Sequence, residues 1–103
     1  MYTRLFLAES QPGKSGQALQ ILRDFATKVK RRKGCLLNQV LQGDNQIVGI
    51  TSWETQEDLA AYADSDLARE LFRSILPLLM GMPKVGTYQV TCNLSDPAAT
   101  KPV

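Results

Sequence analysis

Along the first stretch of the chain, Thr3, Leu5 and Leu7 alternate with Tyr2, Arg4, Phe6 and Ala8. A period of two with aromatic and aliphatic content predicts a strand over Tyr2 to Ala8, which Gln11-Pro12-Gly13 breaks. From Gly16 to Arg32 the period lengthens. Ala18, Leu19, Leu22, Phe25, Ala26 and Val29 fall on one stripe of a helix, with Ser15 placed as its cap and Gly34 as its stop. Cys35 to Gln42 and Gln46 to Trp53 return to strand character. Gly43-Asp44-Asn45 joins them, three residues that all tolerate positive φ in a hairpin turn. Thr55, with Asp58 three residues on, predicts a capped helix that buries Leu59, Tyr62 and Ala63. Asp64-Ser65-Asp66 interrupts and recaps it, and Leu67, Leu71, Phe72, Ile75, Leu76 and Leu79 form the stripe of a second helical piece. Pro77 has no amide hydrogen and restricts Leu76, so a kink or restart is expected there, before Gly81-Met82-Pro83 ends the segment. Val85 to Leu94 alternates again and predicts the last strand.

The order β-α-β-β-α-β, with the second helix in two pieces, specifies an α+β, ferredoxin-like fold: an antiparallel sheet with its helices on one face. The usual strand order for it, 4-1-3-2, puts Cys35 and Cys92 on opposite edges. They would lie on the order of 14 Å apart, too far to bridge, so both are expected as free thiols. If the leucines of the first strand face the helices, the other face carries Tyr2, Arg4, Phe6, Gln39, Leu41, Thr51, Trp53, Thr87, Gln89 and Thr91. That mixture suits a half-covered surface, and homodimerisation through it is the expectation.

The bulk numbers refine this picture only slightly. The chain has 103 residues, 44% hydrophobic and 21% charged, which fits one folded domain over 1–94 followed by a loosely ordered tail over 95–103. A net charge of +2 is too small to imply nucleic acid or acidic lipid. Five of the twelve basic residues sit at Lys28, Lys30, Arg31, Arg32 and Lys33, where cations favour the end of a helix. Without interleaved aromatics, that cluster does not predict a nucleic-acid partner. The N-terminus lacks a basic region ahead of its short apolar run, and no segment is long enough to span a bilayer. A cytoplasmic protein without membrane association is expected.

The chemical inventory is short. There are no histidines, which removes imidazole acid–base chemistry, Ser/Cys-His pairs and most transition-metal sites. Glu57, Asp58, Asp64 and Asp66 sit where helix caps and first turns account for them. No glycine-rich phosphate loop or dinucleotide fingerprint occurs, so no cofactor and no metal are expected. Trp53, Tyr62, Phe72 and Tyr88 remain as aromatics able to line a pocket. Trp53 and Tyr62 fit best, since each buries a large ring and needs a partner for its polar tip.

The run Ser52-Trp53-Glu54-Thr55-Gln56-Glu57-Asp58, followed by Tyr62 and by Leu76-Pro77-Leu78-Leu79-Met80-Gly81-Met82-Pro83, resembles the antibiotic biosynthesis monooxygenase family of dimeric α/β barrels. The resemblance implies a homodimer whose two sheets close into a barrel, each protomer holding a pocket between helices and sheet. In the cofactor-free members, a phenol or dihydroquinone is deprotonated and its carbanion passes an electron to dioxygen. Residue by residue, the family's tryptophan matches Trp53, its strand asparagine falls on Gly49 and its helix tyrosine on Leu59. The arginine falls near Glu70, with Arg69 and Arg73 flanking it. For the haem-degrading branch, the axial histidine falls on Phe72, the pocket tryptophan on Tyr62 and the first-strand asparagine on Thr3, so haem degradation is not expected.

Two functions follow from these residues. The first is a monooxygenase-like protein acting without metal or cofactor on a small aromatic or quinol-type compound. Trp53 and Tyr62 would line its pocket, and Arg69, Arg73 or Tyr88 would stabilise an anionic substrate. The second is a non-catalytic small-molecule-binding or assembly module on the same fold. Nucleic-acid binding through residues 28–33 would rest on charge alone.

Overall fold

The structure, a computed structural model, describes residues 1–95, so the tail expected over 95–103 lies outside the described residues from 96 onward. Strands β1 (Tyr2–Glu9), β2 (Cys35–Gln42), β3 (Gln46–Trp53) and β4 (Lys84–Gln89) form one antiparallel sheet in the order β2-β3-β1-β4. Helices α1 (Ser15–Lys30), α2 (Gln56–Ala63) and α3 (Asp66–Ile75) cover one face of it. The ferredoxin-like expectation is met, including the divided second helix and a 3-10 turn over Leu76–Leu78 where Pro77 was expected to restart the chain.

The register decides which side chains meet the helices. Tyr2 pairs with Trp53, Arg4 with Thr51, Phe6 with Gly49 and Ala8 with Ile47. Phe6, Ala8, Ile47 and Trp53 are all buried. The helix-facing set is therefore the one that contains Arg4, and the leucine assumption is corrected. Leu5 and Leu7 point to the open face, with Leu7 43% exposed. Of the residues expected on the open face, Tyr2, Arg4, Phe6, Thr51 and Trp53 lie on the helix side, and Thr87 and Gln89 follow them in register. Gln39 and Leu41 do lie on the open face, beside Leu37, Val48, Ile50 and Tyr88.

The core falls into two clusters. Phe6, Ala8 and Ile47 pack against Ala18, Leu19 and Leu22 of α1 and against Leu71 and Ile75 of α3, with Leu79 beside them. At the other end, Trp53 sits among Val29, Cys35, Leu59, Tyr62 and Ala68. After α3, the chain is pinned back to β1 by hydrogen bonds from Met80 N–H to the Glu9 carbonyl and from Gln11 N–H to the Leu78 carbonyl.

Local chemistry sets the element ends. Ser65 Oγ accepts from the Ala68 amide and donates to the Tyr62 carbonyl, so one side chain closes α2 and opens α3. Thr55 Oγ1 accepts from the Asp58 amide at 3.1 Å, as its spacing predicts. Ser15 proves to be the first residue of α1, after Lys14, and no side chain caps that start. The Gly43–Asn45 turn uses no positive φ. Gly34 does, at φ 81°, and a Cβ there would collide with the Asp58 side chain. The last strand stops at Gln89, five residues short of expectation, because its partner ladder ends at Tyr2.

Two substitutions test this account by thermal unfolding. Gly34→Ala forces an L-residue into the left-handed region at about 1–2 kcal/mol, before its clash with Asp58 is counted. The Gly34→Ala/Asp58→Ala double variant removes the carboxylate but keeps the Cβ of residue 58 in contact, so it should recover only a fraction of the steric part. Ser65→Ala should cost about 1 kcal/mol, or roughly 4–8 °C in a domain of this size. A midpoint unchanged in both Gly34→Ala and Ser65→Ala contradicts the account.

Candidate functional site

Between α1 and the sheet lies a cavity of about 40 Å³, bounded by Phe6, Leu22, Phe25, Val29, Val40 and Leu71. Most of this wall is apolar because a stripe of α1 faces alternate positions of β1, β2 and β3. Four polar residues also reach it: Arg4, Asn38, Thr51 and Tyr62. The first three stand side by side across the sheet, since Arg4 pairs with Thr51 and Thr51 with Asn38. Tyr62 comes down on them from α2.

Tyr62 and Trp53 are held together. Their rings stack with centroids 5.1 Å apart and planes 18° from parallel. The indole Nε1–H donates to Thr51 Oγ1 at 2.9 Å, which meets the requirement of a buried tryptophan for a partner. Trp53 is fully buried behind Tyr62, so it positions the tyrosine and does not itself form the cavity wall.

Arg4 is the unusual group. Its guanidinium carbon lies 5.9 Å from the Tyr62 ring centroid, near the outer limit of a cation–π contact. No carboxylate among the described residues forms an ion pair with it. Burial pulls its pKa below the ordinary arginine value, while Tyr62 and Asp64 pull it back up. Tyr62 is shifted the opposite way: burial pushes its pKa up, against the nearby cations Arg4 and Arg32. The site therefore contains a neutral phenol and a cation short of hydration, facing a mainly apolar hollow. Chemically it can hold an anion on a flat apolar molecule, because a guanidinium offers five donors and this one has no fixed acceptor.

The residues expected from sequence divide. Tyr62 lines the cavity and Trp53 supports it. Arg69 and Arg73 are exposed on the outer side of α3, where Arg69 bonds Asp66 at 2.7 Å. Tyr88 stands on the open face of β4, 57% exposed. None of these last three reaches the cavity. Gly49, where the family's strand asparagine was aligned, does line it and contributes no polar group. Leu59 is buried in the core, Glu70 is exposed, and Phe72 packs edge-on against Phe6 at 5.6 Å. Thr3 shares a hydrogen bond with Ser52 away from the cavity. Sequence reasoning missed Arg4, Asn38 and Thr51. The signal for Arg4 was its alternation with Phe6 and Ala8, once those two are taken as core.

Comparison with known proteins agrees with this architecture. The family model described as antibiotic biosynthesis monooxygenase matches residues 1–74. No curated protein sequence matches the chain. Among solved structures, a Deinococcus radiodurans protein provisionally named as an antibiotic biosynthesis monooxygenase superimposes with a TM-score of 0.83 at 13% identity, covering 93% of this chain and 98% of its own. A Nitrosomonas europaea protein of the same provisional name gives 0.81 at 17% identity, covering 89% of this chain and 100% of its own. The Mycobacterium tuberculosis protein Rv0793 gives 0.82 at 12% identity, covering 91% of this chain and 98% of its own. Identities this low establish a shared fold. Since the family model spans 74 of the 103 residues, the chain belongs to the antibiotic biosynthesis monooxygenase family.

Proposed function

We propose that this chain is a cofactor-independent monooxygenase acting on a small aromatic with an ionisable phenol or enol. The observation that carries the reading is Arg4, a half-buried guanidinium without an ion pair among the described residues, at the wall of a mainly apolar cavity. A cation within about 4–6 Å lowers the pKa of a phenol by roughly 1–3 units, so an enolised anthrone or hydroquinone could ionise to solvent without a dedicated base. Tyr62 does not serve as that base, because burial keeps it protonated well above neutrality. The anion then reduces dioxygen. For an anthrone, the CH₂ carbon becomes a carbonyl with one oxygen atom, and the other leaves as water with the two hydrogens.

A second reading is favoured by the cavity's size. An apolar hollow of about 150 Å³ accommodates benzene, whereas the one here measures 40 Å³ and suits a water molecule or two. A non-catalytic binding or assembly module would fit a hollow that stays this small. Oxygen-electrode measurements with a panel of anthrones and hydroquinones separate the two. The enzyme reading expects one dioxygen consumed per quinone formed from an anthrone. Binding without consumption above the buffer rate supports the module instead.

Arg4 gives an independent check. Because desolvation disfavours its charge, Arg4→Met should leave the thermal midpoint equal or higher while abolishing dioxygen consumption. A drop of several degrees would make Arg4 a structural residue.

The open face of the sheet supports assembly as a homodimer. Leu5, Leu7, Leu37, Leu41, Val48 and Ile50 make it too apolar to face water, and a stable dimer needs about 800 Å² from each partner. Light scattering at micromolar concentration should give twice the chain mass, and Leu41→Lys should shift it towards one chain. A single-chain mass for the unsubstituted protein rules this assembly out.

A further inference from the structure

The polar side chains of the hollow mostly present hydrogens rather than lone pairs. Thr51 Oγ1 accepts the Trp53 indole N–H at 2.9 Å, which leaves the hydroxyl's own hydrogen to donate. Tyr62 is only 5% exposed, and its hydroxyl has no hydrogen-bond partner among the described residues. Asn38 commits one Nδ2 hydrogen to the Ala26 carbonyl at 3.3 Å and keeps the other, with Oδ1 as the one acceptor-only atom of the set. Arg4 adds a guanidinium without an ion pair among the described residues. No carboxylate lines the hollow.

Size and charge narrow the occupant. At about 40 Å³ the hollow has room for roughly two or three heavy atoms, and it is partly open to solvent, so an ion reaches it without any part of the chain moving. Arg4 is the single cation at its wall. Asp64 and Arg32 act on Arg4 and Tyr62 from beyond the wall with opposite charges, so they leave the balance near one positive charge. Water would satisfy the donors but leave that charge without a counterion. We infer that the hollow binds a small monovalent anion, a halide or a two- or three-atom ion such as nitrite, held by the Arg4 guanidinium and the Tyr62 hydroxyl with Thr51 Oγ1–H beside them. A larger ligand would place only its charged atom there, with any ring outside. This rests on the hollow being the ligand site, but not on dioxygen being reduced there.

Chloride NMR line broadening tests the site, with ionic strength held constant by sulfate. Sulfate occupies the exposed basic end of α1 but is too large and too highly charged for the hollow. Chloride should show saturable excess broadening that nitrite displaces and added sulfate does not. Arg4→Met should weaken chloride binding about tenfold or more, since a charge-assisted contact is lost. Tyr62→Phe, which keeps the ring against Trp53 and removes only the hydroxyl, should weaken it several-fold. That second variant also carries the test if Arg4→Met does not fold. No excess broadening, broadening that sulfate abolishes, or broadening unchanged in Arg4→Met (in Tyr62→Phe, where Arg4→Met does not fold) would each overturn the inference. Failure of dioxygen consumption alone, with the Arg4-dependent chloride site intact, removes the monooxygenase reading and leaves the anion site standing.

Discussion

The pairing of Phe6 with Gly49 at the centre of the sheet governs everything else in the molecule. It commits the even positions of β1 and the odd positions of β3 to the helices. A slip of β1 by one residue against β3 would turn over its whole set, sending Phe6 and Ala8 to the open face. It would also remove Arg4 from the hollow. Fold and site are therefore fixed by the same register, and the site has no separate scaffold of its own. Gly49 contributes by what it lacks: a Cβ there would make only ordinary contact with Phe6, so the missing side chain leaves space next to Arg4.

Strand and helix order was legible because the changes of period are abrupt and the punctuation is chemically specific. Thr55 and Ser65 cap helices for the reason their spacing predicts, and Pro77 restarts the chain where its missing donor requires. The choice of face was not legible from hydrophobicity. Leu5 and Leu7 look more apolar than Arg4, yet they lie opposite the helices, on a face that is itself apolar. When both faces of a sheet are apolar, alternation gives the period without the phase. Trp53 could have supplied the phase, since a buried indole needs enclosure on all sides, and its neighbour in register is Tyr2. The end of β4 failed for a different reason. Alternation continues to Leu94, but a strand needs a partner ladder as well as a pattern.

The misplacement of the arginines has the same root. Arg69 and Arg73 lie one helical turn apart, on the side of α3 opposite Ala68, Leu71 and Ile75. The stripe that predicts the helix therefore predicts that they face outward. Proximity in sequence to an aligned position carried less information than the helical period. With those two outside, the cation available to the hollow comes from the sheet, on the strand at its centre.

That location has an energetic consequence. A half-buried guanidinium anchored on a central strand stays partly desolvated while the hollow is empty. Packing does not demand a charge there: an unbranched apolar side chain could lie against Phe6 and Tyr62 without that penalty. An anion that enters would restore to Arg4 the electrostatic partner that water no longer supplies, and its binding would draw on a penalty already present in the folded chain. On the reading proposed here, affinity is thus stored in the apo protein as lost hydration at one residue. The apolar walls that cause the loss are also what keep the bound anion's charge unscreened.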